Sequence, residues 1–184
     1  SPDVSVIAAR NRGGSFSTDD PDILAPMLNA NYIFLGAGSP TYVADHLNDS
    51  LGLRYILGRH RMGATLCLAS TSAMAFGSKV IPVYEIFKAG HELHWTDGLN
   101  LFGFFGLDVA VVSHWDNREG GAELDTSCCF IGRVRMEKLR SMLPATTILG
   151  IDEHTGVLFD FENEQCEVMG KGKATIQNSQ STKV

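Results

Sequence analysis

Ala-Thr-Leu-Cys-Leu-Ala-Ser-Thr-Ser-Ala-Met-Ala-Phe-Gly, residues 64–77, changes character at its midpoint. The first half is a short apolar run of strand type, and the second is rich in small residues that favour a helix. Ser70 falls at the join. A serine between a buried strand and the first turn of a helix stands on a tight corner, with N–H groups of the helix start directed at the same space. An acyl-transfer nucleophile requires that geometry, and a small residue capping a helix after a core strand would leave the same trace.

On the N-terminal side, Tyr-Ile-Phe-Leu at 32–35 is a second buried strand. It runs into Gly36-Ala37-Gly38-Ser39-Pro40, where glycine lets a ligand approach the backbone. This turn lacks the third glycine of a dinucleotide fingerprint and the lysine of a P-loop. Residues 41–48 and 51–60 read as helices. Val-Ser-Val-Ile-Ala-Ala at 4–9 is a strand candidate, followed by a polar loop at 10–21. Residues 22–29 then space Ile23, Leu24, Met27 and Leu28 as one helical face, with Pro26 in its first turn.

On the C-terminal side, Asp-Val-Ala-Val-Val at 108–112 is a strand ending at Ser113-His114-Trp115. Residues 132–143 carry Val134, Met136, Leu139 and Met142 among basic residues, an amphipathic helix stopped before Pro144. Residues 146–151 form another apolar strand, ending at Asp152-Glu153-His154-Thr155. Three further strands, at 157–161, 166–169 and 174–176, read as a terminal antiparallel meander. Residues 178–184 are a polar tail. The expectation is one α/β domain over residues 1–177, with a mostly parallel sheet and helices on both faces.

Ligands of such sheets collect at the carboxyl ends of the strands. Four strand ends here carry, in order, the 36–38 turn, Ser70, His114 and Glu153. A serine hydroxyl needs a base within hydrogen-bond reach and a third group to orient that base, and Ser70, His114 and Glu153 suit those roles. Backbone N–H groups of Thr71 and of Ala37 or Gly38 are candidate donors to the developing oxyanion. His154 competes with His114 as base, but it directly follows Glu153 and would ordinarily point away from it.

Composition narrows the function classes. The 184 residues are 44% hydrophobic with a formal net charge of −6, which leaves no basic surplus for general nucleic-acid binding. No apolar run approaches the length of a membrane span. Cys67, Cys128, Cys129 and Cys166 lack the paired spacing of a zinc site, and free cysteines fit a reducing cytoplasm. His91 and His94 beside Trp95 read as loop or lid residues rather than metal ligands, so no metal or cofactor is expected. A homodimer is compatible with this reading.

These residues together resemble the S51 serine peptidases, the family of cyanophycinase and aspartyl dipeptidase, whose fold is like that of class I glutamine amidotransferases. Ser-Thr-Ser-Ala-Met-Ala-Phe-Gly at 70–77 is similar to the family's Ser-Ala-Gly-Ala nucleophile motif, with Ser72 in place of the glycine. The 32–38 segment looks like its strand and Gly-Gly turn, with Ala37 for one glycine. Ser113-His114-Trp115 resembles its Asp-His-Phe histidine, and Gly-Ile-Asp-Glu-His-Thr at 150–155 its Gly-Ile-Asp-Glu-x-Thr segment. Arg133-Val134-Arg135 resembles the Arg-x-Arg run opening its next helix, and Gly170-Lys171-Gly172 the glycines near its last strand.

The resemblance implies a serine hydrolase cutting a peptide or amide bond, with Ser70 as nucleophile, His114 as general base and Glu153 as the orienting acid. In some family members the acid follows the nucleophile more closely, where this chain offers Glu85. Arg133 or Arg135 would hold a substrate carboxylate. Against the family pattern, an N-terminal strand and helix are expected to be absent, and the acidic segment 116–127 is longer. Two other readings stay open: a non-catalytic domain binding a small molecule or peptide in the strand-end pocket, and an amidotransferase-like enzyme using Cys67.

Overall fold

The computed structural model describes residues 3–178. Its first ordered element is α1, Pro21–Leu24, with Asp20 capping it by accepting the N–H groups of Asp22 and Ile23. The helix expected over residues 22–29 stops there because Pro26 brings no N–H, and the chain tightens into a 3-10 turn over Ala25–Asn29. The strand expected at 4–9 does not form. Val4 and Val6 are 74% and 89% exposed, and among the described residues no strand pairs with this segment.

Next come β1 (Tyr32–Leu35), α2 (Pro40–Leu47), α3 (Leu51–Arg61), β2 (Thr65–Leu68) and α4 (Thr71–Ala75). Ser39 and Ser50 cap the two longer helices through their hydroxyls. β1 and β2 pair in parallel, with Leu35 opposite Leu68, so the Gly36 turn and Ser70 leave the same end of the pair. Short elements follow that the sequence does not announce: β3 (Lys79–Val80), α5 (Val83–Phe87), β4 (Thr96–Asp97) and a 3-10 turn over Leu101–Phe105.

β5 (Val109–Val112) and β6 (Thr147–Ile151) form the second parallel pair, with α6 (Arg133–Met142) between them in the chain. Their register sets Val112 against Gly150, so His114 and Glu153 also leave a common edge. β7 (Thr155–Asp160) and β8 (Gln165–Gly170) are an antiparallel hairpin. β9 (Ala174–Gln177) does not continue as a meander. It returns to pair antiparallel with β6, with Thr175 opposite Gly150. Lys173 drives this return, because its N–H and C=O both bond the Asp152 residue at the end of β6.

The architecture is therefore mixed α/β, with β1–β2, β3–β4, β5–β6–β9 and β7–β8 as separate ladders rather than one mostly parallel sheet. The hydrogen bond from Ser78 N–H to Val109 C=O lays the start of β3 beside β5. Around β5 and β6, Met74, Ile81, Val112, Ile131, Leu139 and Ile148 are fully buried with Trp115. Each such side chain contributes about 1.5–3 kcal/mol on removal from water. A second cluster, containing Leu24, Ile33, Ile56 and Phe76, packs α1 and α3 against β1 and β2. Both clusters meet at α4, whose Met74 belongs to one and Ala75 to the other. The corner residue Ser70 is thus anchored from two sides.

Candidate active site

Ser70 has φ 57° and ψ −119°, a conformation that L-residues avoid, at the point where β2 turns into α4. Such a turn projects the hydroxyl out of the chain. Ser70 Oγ lies 2.7 Å from His114 Nε2. His114 also has positive φ, 51°, in the sharp turn after β5. Its Nδ1 lies 3.0 Å from Glu153 Oε1, and the same oxygen accepts Asn117 Nδ2 at 2.8 Å. Asn117 is buried and supplies the larger influence holding the Glu153 carboxyl below its ordinary range, followed by His114. The loop that carries Glu153 is fixed by its own N–H, which donates to Asp116 Oδ1 at 2.8 Å.

The corner is tied to the 36–38 turn from the other side. Thr71 Oγ1 donates to Gly38 C=O at 2.6 Å and lies 2.8 Å from Gly38 N, the two contacts sharing one hydroxyl. Ser72, which is buried, bonds the carbonyl of Gly36 through its hydroxyl. The serine that replaces glycine in the motif therefore has a partner. Gly38 N–H is committed to Thr71, whereas Thr71 N–H, in the first turn of α4, belongs to the groups a helix leaves without an intrahelical partner.

A cavity of about 330 Å³ opens over Ser70 and His114. Ala37, Gly38 and Thr71 line it together with Tyr84, Phe87, Lys88, Cys129 and Phe130. The Phe87 and Phe130 rings meet at 5.3 Å, and Lys88 Nζ sits 4.8 Å from the centre of the Tyr84 ring. The pocket is apolar and aromatic with a single ammonium group at its wall.

The chain shares its fold with solved peptidases. A peptidase from an acI-B1 Actinobacterium superposes with a TM-score of 0.61 at 19% identity, over 89% of this chain and 60% of that one. A candidate Peptidase E protein from Listeria monocytogenes EGD-e superposes with a TM-score of 0.50 at 13% identity, over 85% of this chain and 64% of that one. The chain therefore spans less than two thirds of the length of either. It matches no family model and no curated protein.

The other residues singled out by sequence are placed differently. Glu85 accepts from Thr41 Oγ1 at 2.6 Å instead of facing His114, and its Oε2 is buried without a partner. Arg135 spends its guanidinium on the carbonyls of Ile131 and Phe130, which positions Phe130 in the pocket wall. Arg133 lines a separate cavity. Neither arginine is among the residues around Ser70. Cys67 lies within β2, three residues before the corner. His91, His94 and the cysteines gather into no metal site, and no cluster of three or more His, Cys, Asp or Glu able to hold an ion occurs among the described residues. No described helix is long and apolar enough to cross a membrane.

Two features were beyond sequence reasoning. Asn117 sits in a polar segment where nothing distinguishes a carboxylate-binding amide from a solvated one. Tyr84 lies in a five-residue helix, and Lys88 caps its C-terminal end, so the face they present is decided by packing alone. In the long acidic segment 116–127, two of the acids have local partners. Asp116 holds the Glu153 loop, and Asp125 Oδ2 caps α6 at Arg133 N–H. The Ser127 hydroxyl and the Arg133 N–H depress the Asp125 carboxyl accordingly.

Proposed function

We propose that this chain is an S51-like serine hydrolase that cleaves a peptide or amide bond in a small substrate. The carrying observation is the continuous line from Ser70 Oγ through His114 to Glu153, at 2.7 and 3.0 Å, beginning at a strained strand-to-helix corner. Ser70 attacks the carbonyl carbon while His114 Nε2 takes its proton. Glu153 accepts from Nδ1–H, which keeps Nε2 free to act as base and steadies the imidazolium that forms. The N–H of Thr71 and that of Ala37 receive the oxyanion, with Gly38 acting by shaping the turn. His114 then returns the proton to the leaving amine, and water repeats the cycle on the acyl-enzyme.

In this reading residues 1–177 form one domain of the class I glutamine amidotransferase-like type, the two parallel pairs being parts of its sheet. It works in the cytoplasm without metal or cofactor, as a monomer or homodimer. The solved peptidases of like fold support the reaction class. A second reading, a binding domain without turnover, draws on the commitment of Gly38 N–H to Thr71, which removes one donor from the oxyanion hole.

Product detection by mass spectrometry on a panel of short peptides, α- and β-aspartyl bonds included, separates the two. Cleavage lost in both Ser70→Ala and His114→Ala is the expected result. A folded unmutated chain that binds peptides without cleaving any would favour the binding domain.

A further inference from the structure

Three consecutive residues in the loop before α6, Cys128, Cys129 and Phe130, have positive φ, at 54°, 57° and 66°. L-residues enter that region singly and at a cost, so a run of three must be held by its surroundings. Cys128 N–H donates to Trp115 C=O and Cys129 N–H to His114 C=O, each at 3.1 Å. Phe130 N–H donates to Thr126 C=O at 2.9 Å, and the Phe130 carbonyl accepts Arg135 Nη2 at 3.1 Å. The turn is thus tied to His114 itself, and it brings Phe130 to the cavity over Ser70.

Phe87, the last residue of α5, meets Phe130 there, with ring centres 5.3 Å apart and planes inclined at 46°. Both residues are half-buried, so each keeps surface that a ligand would cover. Val83 and Tyr84 of the same helix also line the cavity. Lys88 brings the one side-chain ammonium among the lining residues, but it is exposed and sits 4.8 Å from the centre of the Tyr84 ring. Neither Arg133 nor Arg135 is among those residues. A carboxylate entering this space would shed its water among rings, with no guanidinium to receive it. An aromatic ring would instead gain ring contacts, which stabilise beyond the area they bury.

We propose that this cavity receives an aromatic side chain, carried by the residue whose carbonyl group lies against Ser70. The inference rests on the serine hydrolase reading and names its substrate class. That residue's side chain stands nearer the attacked carbon than the leaving residue's does. At about 330 Å³ the cavity is at the lower end of the range for small-molecule sites, which favours one side chain over two. An aliphatic side chain would be covered by the same walls but would forgo the ring contacts. Phe87 and Phe130 are thus specificity residues, and Arg135 is a positioning residue that acts by holding the Phe130 carbonyl.

Two measurements on the full chain test it. In the first, N-acetyl-L-phenylalaninamide, N-acetyl-L-leucinamide and the α-amide of N-acetyl-L-aspartate are titrated into the Ser70→Ala chain and followed by nuclear magnetic resonance, so that no turnover is needed. The phenylalanine amide should bind at least about tenfold more tightly than the aspartate amide, and a few-fold more tightly than the leucine amide. Adding Phe87→Ala or Phe130→Ala should erase most of that preference. In the second, the unmutated chain is given the same three acyl groups joined to glycinamide, and kcat/KM should follow the same order. Ring preference in binding with no hydrolysis supports the assignment of the cavity and counts against the hydrolase reading alone. Hydrolysis fastest for the aspartate substrate overturns the proposal and leaves the hydrolase reading standing. Equal binding of the three amides, no saturable binding of the phenylalanine amide up to about 10 mM, or a ring preference unchanged in both phenylalanine variants would also overturn it.

Discussion

Replacing Glu153 with glutamine asks how much of the proposed reaction depends on its charge. Glu153 Oε1 accepts two donors, His114 Nδ1 at 3.0 Å and Asn117 Nδ2 at 2.8 Å. In Glu153→Gln the amide can keep both bonds only with its oxygen at that position. The reverse orientation would set its NH2 against that of Asn117, so Asn117 holds the histidine in its working tautomer even in the variant. What disappears is the attraction between carboxylate and imidazolium. At 3.0 Å this is worth about 1.4 kcal/mol when fully water-screened and about 5.5 at an effective dielectric constant of about 20. Both side chains are about one third exposed, at 34% and 32%, which places the value nearer the screened limit. About 2 kcal/mol corresponds to about a thirtyfold fall in kcat/KM. Adding Asn117→Ala frees the amide to turn over, so the double variant should fall well below the product of the two single effects. Initial rates on a cleaved peptide, with circular dichroism to confirm folding, measure all three. Full activity in Glu153→Gln, or a larger loss in Glu85→Gln, would refute the assignment of Glu153 as the orienting acid.

The strain at Ser70, with φ 57° and ψ −119°, costs on the order of 1–3 kcal/mol that glycine would relieve in part, so Ser70→Gly should raise the urea midpoint while abolishing turnover. The Glu153 carboxyl is held below its unfolded value, so its contribution to stability is fully present above the ordinary carboxylate range and is lost as pH falls through the lower folded value. Urea titrations from neutral to acid pH should therefore show a steeper acid loss in the unmutated chain than in Glu153→Gln. Burial pushes the thiols of Cys128 and Cys129 up to about 11. Alkylation near neutral pH should accordingly mark exposed Cys166 first and spare activity, and rapid inactivation with label on Cys67 would instead revive a cysteine nucleophile.

Much of the frame was legible because it rests on local pattern. The runs that become β1, β2, β5 and β6 are short, apolar and punctuated, and the chemistry-bearing residues follow them directly. Pairing was not legible, because it is non-local. Nothing within residues 174–177 says that this strand returns to β6 past its nearest neighbour β8; the return depends on Lys173 meeting Asp152. Residues 4–9 show the converse, a strand-like pattern that fails for want of a partner. At the candidate site, Ser70, His114 and Glu153 could be singled out from their strand ends. The two arginines could not be placed, since a basic residue at a helix start has the same pattern whether it holds a backbone carbonyl, as Arg135 does, or lines a different cavity, as Arg133 does.

The return of β9 to β6 also sets an order of events on the ribosome. Asp152 is fixed by two backbone contacts with Lys173, and Asp152 adjoins Glu153 in the chain. Ser70 emerges more than eighty residues before Glu153, and residues 173–177 emerge later still. At a synthesis rate of about 5–20 residues per second, the interval between Ser70 and the strand that pins the Asp152–Glu153 turn lasts several seconds or more. On the proposed reading of Ser70 as nucleophile and Glu153 as the orienting acid, a nascent chain would present the corner at Ser70 before the turn carrying Glu153 is pinned by Lys173.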